Sequence, residues 1–372
     1  LATPMLKSLE KRKELLGLIG KVTQDKGYFD VFDLSGATGM PRSTIQDWIN
    51  RFVDDGCISI LEECSGRKRA KYAMRRIRNL PASACKRIFT TVDGDQVEIF
   101  HECRSEGCIA FCEYMYMMGN PRVRKNGLIL RQRVKAGPVA RASNVSLDLE
   151  KVTVSNGLVY QHIRTFGGPA YSLTEMMESA DGVLDIKYVK KGNYVEGIVV
   201  TEALTHMAIA VDDTDDAMSG ATFAITLSLL DLLSSIEGVH RISHNVGFLY
   251  PDVPGKTAGN AVSYIELAVK KELVESLIQS AAEYLKAETR SQDTGMAVKL
   301  GLKNCPELLG FARKARTGIV TIEEALAAAK KSRVRTYEIT GKRGIIGAVA
   351  SLGMVDCPPE KLMDVRLKMS DN

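Results

Sequence analysis

The sequence predicts a multidomain chain of the α/β (α+β) class. Three observations carry this. Apolar residues fall at helical spacing in the first fifty positions, strand-like runs cut by Gly-rich turns follow, and from His206 the order becomes strand, helix, strand, strand, helix. The 372 residues exceed one ordinary core, and the composition shifts place domains at 1–82, 83–200 and 201–372.

The first segment opens with an amphipathic helix over residues 5 to 26, with Leu6, Leu9, Leu15, Ile19 and Val22 on one face. Ser35 to Pro41 reads as a turn between short helices, and Pro41 starts another helix whose buried face is Ile45, Trp48, Ile49 and Phe52. A strand from Cys57, the basic Ser65 to Arg69 and a second strand through Tyr72 make a two-stranded wing. Helices followed by a basic hairpin resemble the winged helix-turn-helix family of nucleic-acid-binding proteins. That resemblance implies contact through Arg42, Ser43, Thr44, Gln46 and Asp47 on the second helix and through Arg67, Lys68, Arg69 and Lys71 on the wing. Winged helices also dock proteins, and DNA and RNA both remain open as partners.

Net charge is only +5, yet the basic residues cluster. Arg67 to Arg78 and Arg122 to Arg141 are two acid-free stretches, the pattern of polyanion contact. At 45% hydrophobic and 26% charged residues the composition is that of a soluble protein. No run approaches the roughly 18 apolar residues of a membrane span, so no membrane partner is expected. Lys7, Lys11, Arg12 and Lys13 interrupt the first helix and argue against a secretory leader, which points to a cytoplasmic protein with reduced or metal-bound cysteines. Leu1 reads as a UUG start translated literally, pointing to a prokaryote, or as a trimmed end.

The middle segment shows strand-like pieces at Gln96 to Phe100, Val152 to Val154 and Ile186 to Val189, and a short helix after Ser172 with Glu175 completing a capping box. Here His101, Cys103, Cys108 and Cys112 lie within twelve residues. Thiolates so close suit Zn²⁺ or an iron-sulfur cluster, with His101 as fourth ligand. Alternatively Cys108 and Cys112, one helical turn apart, simply pack on an apolar face. His240 and His244 fall in a strand-like segment and read as structural.

In the last segment strands are expected at His206 to Val211, Arg241 to Leu249, Ala261 to Val269 and Thr294 to Leu300. Helices are expected at Gly220 to Ile236, Glu272 to Ala287, Pro306 to Lys314, Thr321 to Lys331 and Ile345 to Leu352. The first strand ends in Asp212, Asp213, Thr214, Asp215 and Asp216, before Ser219 and Gly220 open a helix. Carboxylates at a strand's C-terminal end hold a hard cation such as Mg²⁺, while the next helix start favours phosphate. The competing reading is an acidic turn that caps the helix, but four clustered acids exceed that need.

Val211-Asp-Asp-Thr-Asp215 resembles the Ile-Asp-Asp-Thr-Asp signature of agmatidine synthase, an archaeal family that modifies an isoleucine tRNA with ATP. Two more segments agree in order. Val253-Pro-Gly-Lys-Thr-Ala-Gly-Asn260 is similar to the family's Pro-Trp-Lys-Thr-Arg-Gly-Asn. Lys342-Arg-Gly-Ile-Ile-Gly-Ala-Val-Ala-Ser-Leu-Gly353 is similar to its Gly-Arg-Gly-Ile-Ile-Gly-Ala-Leu-Ala-Ala-Ile-Gly.

The resemblance implies that Asp212, Asp213 and Asp215 hold Mg²⁺ and ATP, with Thr214 and Gly220 beside them. Lys256 and Thr257 would approach phosphate or substrate, and Lys342, Arg343 and Gly344 would form a loop facing the nucleotide. The sequence departs from the family after Asp215, where Asp216 replaces a serine, and at Gly255, where the family has tryptophan. The winged-helix part has no counterpart there, so ATP use carries over further than the tRNA substrate. The expected function is ATP- and Mg²⁺-dependent phosphoryl transfer or substrate activation. The alternative is a homodimeric transcriptional regulator whose C-terminal domain senses a nucleotide or metabolite.

Overall fold

The computed structural model describes residues 4–54, 58–62, 64, 69–74, 85–117, 120, 122–141, 146–167, 173–216, 219–254, 259–303, 305–366 and 369. The chain divides into two units, Leu1–Pro81 and Ala82–Asn372.

In the first unit α1 (Pro4–Lys26), α2 (Val31–Thr38) and α3 (Arg42–Asp54) precede an antiparallel pair, β1 (Ile58–Glu62) and β2 (Lys71–Met74). Helix α2 extends to Thr38, into the segment expected as a turn. Asp30 caps it by accepting from the Phe32 and Asp33 amides, Asp33 accepts from the Asp30 amide in return, and Gly39 at φ 68° ends it. Reciprocal capping holds eight residues helical where hydrophobic spacing alone is uninformative. Leu15, Ile19, Phe29, Leu34, Ile45, Ile49, Phe52, Ile58 and Tyr72 form the core. Fully burying one such side chain stabilises by roughly 1.5–3 kcal/mol.

The second unit begins with β3 (Arg87–Asp93) and β4 (Gln96–Glu102). Next come α4 (Glu106–Cys112), continued by a π-helical turn, and β5 (Val123–Asn126), β6 (Ile129–Lys135), β7 (Gly137–Pro138), β8 (Leu147–Ser155) and β9 (Leu158–Phe166). Asn156 and Gly157, both at positive φ, make the tight turn between β8 and β9. The segment α5 (Leu173–Glu178) follows, its expected cap Ser172 lying outside the described residues, and then β10 (Val183–Lys191).

Strand β11 (Tyr194–Asp212) organises the rest. Its first half pairs with β9 and β10, Ala203 and Leu204 run parallel to Thr90 and Thr91 of β3, and its second half enters a C-terminal sheet. The expected boundary at 200/201 therefore falls inside one continuous strand, and the middle and C-terminal segments form a single unit.

The remaining elements are α6 (Thr222–Ser234), β12 (Val239–Phe248), β13 (Ala261–Val269), α7 (Val274–Glu288), β14 (Gly295–Leu300), α8 (Pro306–Thr317), α9 (Ile322–Lys331), β15 (Arg335–Glu338), α10 (Ile345–Leu352) and α11 (Pro359–Met363). The C-terminal sheet runs β12-β13-β11-β14-β15, all antiparallel. Side chains of β11 alternate: Met207, Ile209 and Val211 pack with Leu229, Leu233, Leu277 and Leu285 of α6 and α7. Ala208 and Ala210 face the other core, which contains residues of α8, α9 and α10.

A buried charge network ties β6 to this sheet. Arg131 donates to Glu98 at 3.1 and 3.2 Å and to Glu266 at 3.0 and 3.1 Å. Arg133 spans Glu98 at 3.0 Å and Asp356 at 2.8 Å, and His206 meets Glu266 at 2.8 Å. Burial works against each charge, yet the arginines hold Glu98, Glu266 and Asp356 below the usual carboxylate range.

Candidate active site

The apolar β11 carries Asp212 to the rim of the C-terminal sheet, and the chain then turns sharply through Asp213 at φ 61°. That turn is held from behind. Thr294 donates to the Asp213 carbonyl at 2.7 Å, and the Arg290 amide and Thr289 hydroxyl donate to the Thr214 carbonyl at 2.9 and 3.2 Å. Thr214 is buried and donates to the Thr222 hydroxyl, which donates to Asp215 at 3.3 Å. Thr214 is thus a brace beneath the carboxylates.

Asp212, Asp213 and Asp215 line an open cleft. Its other walls are Leu249, Val253, Pro254 and Asn260 from the β12–β13 connection, Ile319 and Val320 between α8 and α9, and Arg343, Ile346 and Gly347 at the start of α10. One side is acidic and the other apolar.

Arg343 closes on the carboxylates across 130 residues of sequence. Its Nε donates to Asp213 at 2.6 Å and a terminal nitrogen donates at 3.1 Å, a two-pronged pair, with Asp293 3.7 Å away. Asp212 is raised well above the ordinary carboxylate value, first by loss of solvation and then by the charges of Asp213 and Asp215. One guanidinium does not neutralise three acids. The donors are all hard oxygens, the type a hard divalent cation takes.

Close packing makes this possible. A Cβ at Gly344 would strike the Asp212 carbonyl and Asp293, and at Gly220 it would lie 3.0 Å from the Asp215 Cα at φ 96°. Gly220 precedes rather than opens α6, which starts at Thr222 without a side-chain cap. Asp216 accepts from the Ser219 amide and hydroxyl at 2.7 and 3.3 Å, so it belongs to the local turn.

The expected loop at 342–344 is only partly in place. Lys342 pairs with Glu338 at 3.4 Å and does not line the cleft, and the Gly344 amide is spent on the Asp293 carbonyl at 2.8 Å. Arg343 alone of the three faces the acids. Lys256 and Thr257 lie outside the described residues, although their flanks Val253, Pro254 and Asn260 line the cleft. Sequence reasoning missed Gly347 and the apolar wall at Ile319; Gly347 was visible only as one glycine of the third motif.

In the cysteine region the Sγ atoms of Cys103, Cys108 and Cys112 lie within 4.8 Å of one another. His101 does not join them. It is hydrogen-bonded to Gln161, its ring stacks on Tyr116 at 5.5 Å, and burial lowers it to about 4. His240 stacks on Phe89 at 4.9 Å and His244 bonds Ser263 at 2.8 Å, both inside β12.

In the first unit Arg42, Ser43, Thr44 and Asp47 are exposed on α3, while half-buried Gln46 bonds Asn50 at 2.9 Å and Tyr72 at 3.3 Å. Arg69 bonds Asp30 at 3.2 Å and lies over Phe32, and Lys71 bonds Glu62 at 2.9 Å, so both charges have partners. Arg67 and Lys68 lie outside the described residues.

Fold and cleft define a mixed α/β protein with an arginine-bridged carboxylate site at a strand terminus. The chain belongs to the family of the uncharacterized protein MJ0921 of Methanocaldococcus jannaschii, to which it is 30% identical over 226 residues, 59% of this chain and 75% of that one. Part of the chain also resembles TiaS, the 2-agmatinylcytidine synthetase of an isoleucine tRNA. It is 33% identical over 153 residues to the TiaS proteins of Pyrobaculum neutrophilum and Pyrococcus horikoshii, covering 40% and 39% of this chain and 35% of each synthetase. The chain thus matches about a third of their length. The solved complex of TiaS with its isoleucine tRNA and ATP overlaps 40% of this chain and 36% of its own at 24% identity, with a TM-score of 0.36. No family model matches. Among the described residues, no helix is long and apolar enough to cross a membrane.

Proposed function

We propose that this chain is an ATP- and Mg²⁺-dependent enzyme that phosphorylates or activates an RNA substrate, with the second unit doing the chemistry. The observation that carries it is the carboxylate trio of Asp212, Asp213 and Asp215 in a cleft with an apolar wall, with Arg343 paired to Asp213. Partial likeness to synthetases named for a tRNA supports nucleotide use and an RNA substrate.

In this reading the three aspartates hold Mg²⁺, which when bound neutralises charge on the transferring phosphoryl group. Arg343 has two partners to choose from, the Asp213 carboxylate and a nucleotide phosphate, and its exposure at the cleft lets it move between them. Leu249, Val253 and Ile319 take the base. The first unit is a winged helix that contacts nucleic acid through α3 and the basic wing.

Titration calorimetry of the full chain with ATP and Mg²⁺ tests this, with Asp213→Asn as the control that weakens binding at least tenfold. Products separate the two chemistries, ADP for phosphorylation and AMP with pyrophosphate for activation. Absence of heat from folded protein with ATP or GTP sinks the reading.

A further inference from the structure

We infer that Cys85, Cys103, Cys108 and Cys112 form a four-thiolate site for a single soft divalent cation, zinc in the first instance, that clips the end of β4 to α4 and the start of β3. This does not depend on the nucleotide reading.

Three elements bring the thiols together. Cys103 leaves the end of β4, where its amide donates to the Leu128 carbonyl at 2.8 Å. Cys108 and Cys112 stand one turn apart on α4, which Ser105 caps by accepting from the Cys108 amide at 3.2 Å. Their three sulfurs lie within 4.8 Å, all as free thiols. Metal–sulfur bonds of about 2.3 Å in a tetrahedron put sulfurs about 3.8 Å apart, so this spacing needs little movement to close on one ion. A four-iron cluster demands wider sulfurs, because each thiolate caps a different iron and points outward.

As fourth ligand we assign Cys85 rather than His101; its sulfur stands outside the group of three and has to move in to close the site. Cys85 is buried in the same apolar cluster as the other three, just ahead of β3, and the Lys86 amide beside it donates to the Glu102 carbonyl, the residue before Cys103. His101 is engaged with Tyr116 and Gln161. Four sulfur donors select zinc over Mg²⁺, whose preference is for hard oxygen.

The site has a structural use. The stretch from Cys103 to Cys112 departs from the sheet, and a bound cation ties it to two strands at once, so metal affinity becomes folding free energy.

The test uses the full chain purified anaerobically with a phosphine reductant and reconstituted with Zn²⁺ or Co²⁺. About one zinc per chain by elemental analysis, a thiolate-to-cobalt charge-transfer band, and a melting temperature that falls on chelation support the site. Cys108→Ser should lose the metal, His101→Gln should keep it, and Cys85→Ala should bind at least tenfold more weakly with the band reduced by about one quarter, one thiolate of four. Should Cys108→Ser not fold, competition of wild-type protein against a chromophoric chelator reads the affinity directly. The proposal is overturned by folded, reduced wild-type protein that takes up neither ion, by iron with sulfide in place of zinc, or by a Cys103–Cys112 disulfide. A cobalt spectrum unchanged in Cys85→Ala overturns the fourth ligand.

Discussion

The Asp212 carboxylate lies directly over Gly347, so close that a Cβ at position 347 would overlap its oxygen. The start of α10 is thereby pressed onto the end of β11, and the glycine keeps the space beside the carboxylate open. Gly347→Ala should push Asp212 aside and weaken Mg-ATP binding at least tenfold, with a stability loss of about 1–3 kcal/mol from overpacking. Calorimetry and a denaturant titration measure the two effects; unchanged binding would show that Asp212 is not a ligand.

Asp213 and Arg343 form a half-exposed pair, so breaking it should cost little stability, under about 1 kcal/mol. Asp213→Asn should nonetheless lower Mg-ATP affinity at least tenfold. Arg343→Lys should fail to restore wild-type affinity, because lysine is a point charge that cannot make the two-pronged contact. Full activity in Arg343→Lys would remove the guanidinium from the mechanism.

Replacing Arg131 leaves Glu98 and Glu266 buried without their shared cation. Arg131→Met should destabilise the second unit by about 3–5 kcal/mol, read from urea unfolding. A change under about 1 kcal/mol would mean that the carboxylates take up protons at little cost.

Acid should weaken the fold in two stages. His101 and His240 stay neutral down to about 4 in the folded protein, mainly through burial, against 6.5 for the free side chain. Between these values the unfolded chain holds more protons, so stability declines as pH falls from 6.5 to 4, by up to about 1.4 kcal/mol per pH unit for each histidine. Below that window the depressed carboxylates Glu98, Glu266 and Asp356 add their own loss as they protonate. His240→Phe, which can still stack on Phe89, should reduce the slope between pH 6.5 and 4, the rest coming from His101, His162 and His244, which burial also lowers; an unaltered slope would place its titration elsewhere.

Binding of RNA or duplex DNA by the full chain should fall steeply with salt through counterion release. Changing Arg67, Lys68 and Arg69 together to alanine should reduce the slope of log affinity against log salt by about 2–3. If the slope stays the same, the wing contacts something other than phosphate.

What the sequence determined by itself was local. An apolar run ending in aspartates announces a strand that delivers carboxylates to a sheet edge, and helical spacing with capping residues marks α3, α7 and α9, because hydrophobic period and cap chemistry depend on near neighbours. Helix α2 runs four residues into the expected turn, to Thr38, because the Asp30–Asp33 box and the Gly39 cap set its ends rather than spacing. Tertiary structure decided everything that joins distant residues. It took Arg343 to Asp213, seated Asp212 on Gly347, drew Cys103 to Cys108 and Cys112 without His101, and merged two expected domains through β11. These pairings rest on sheet register and on which side chain a glycine leaves room for, and neither is written in the spacing of the residues along the chain.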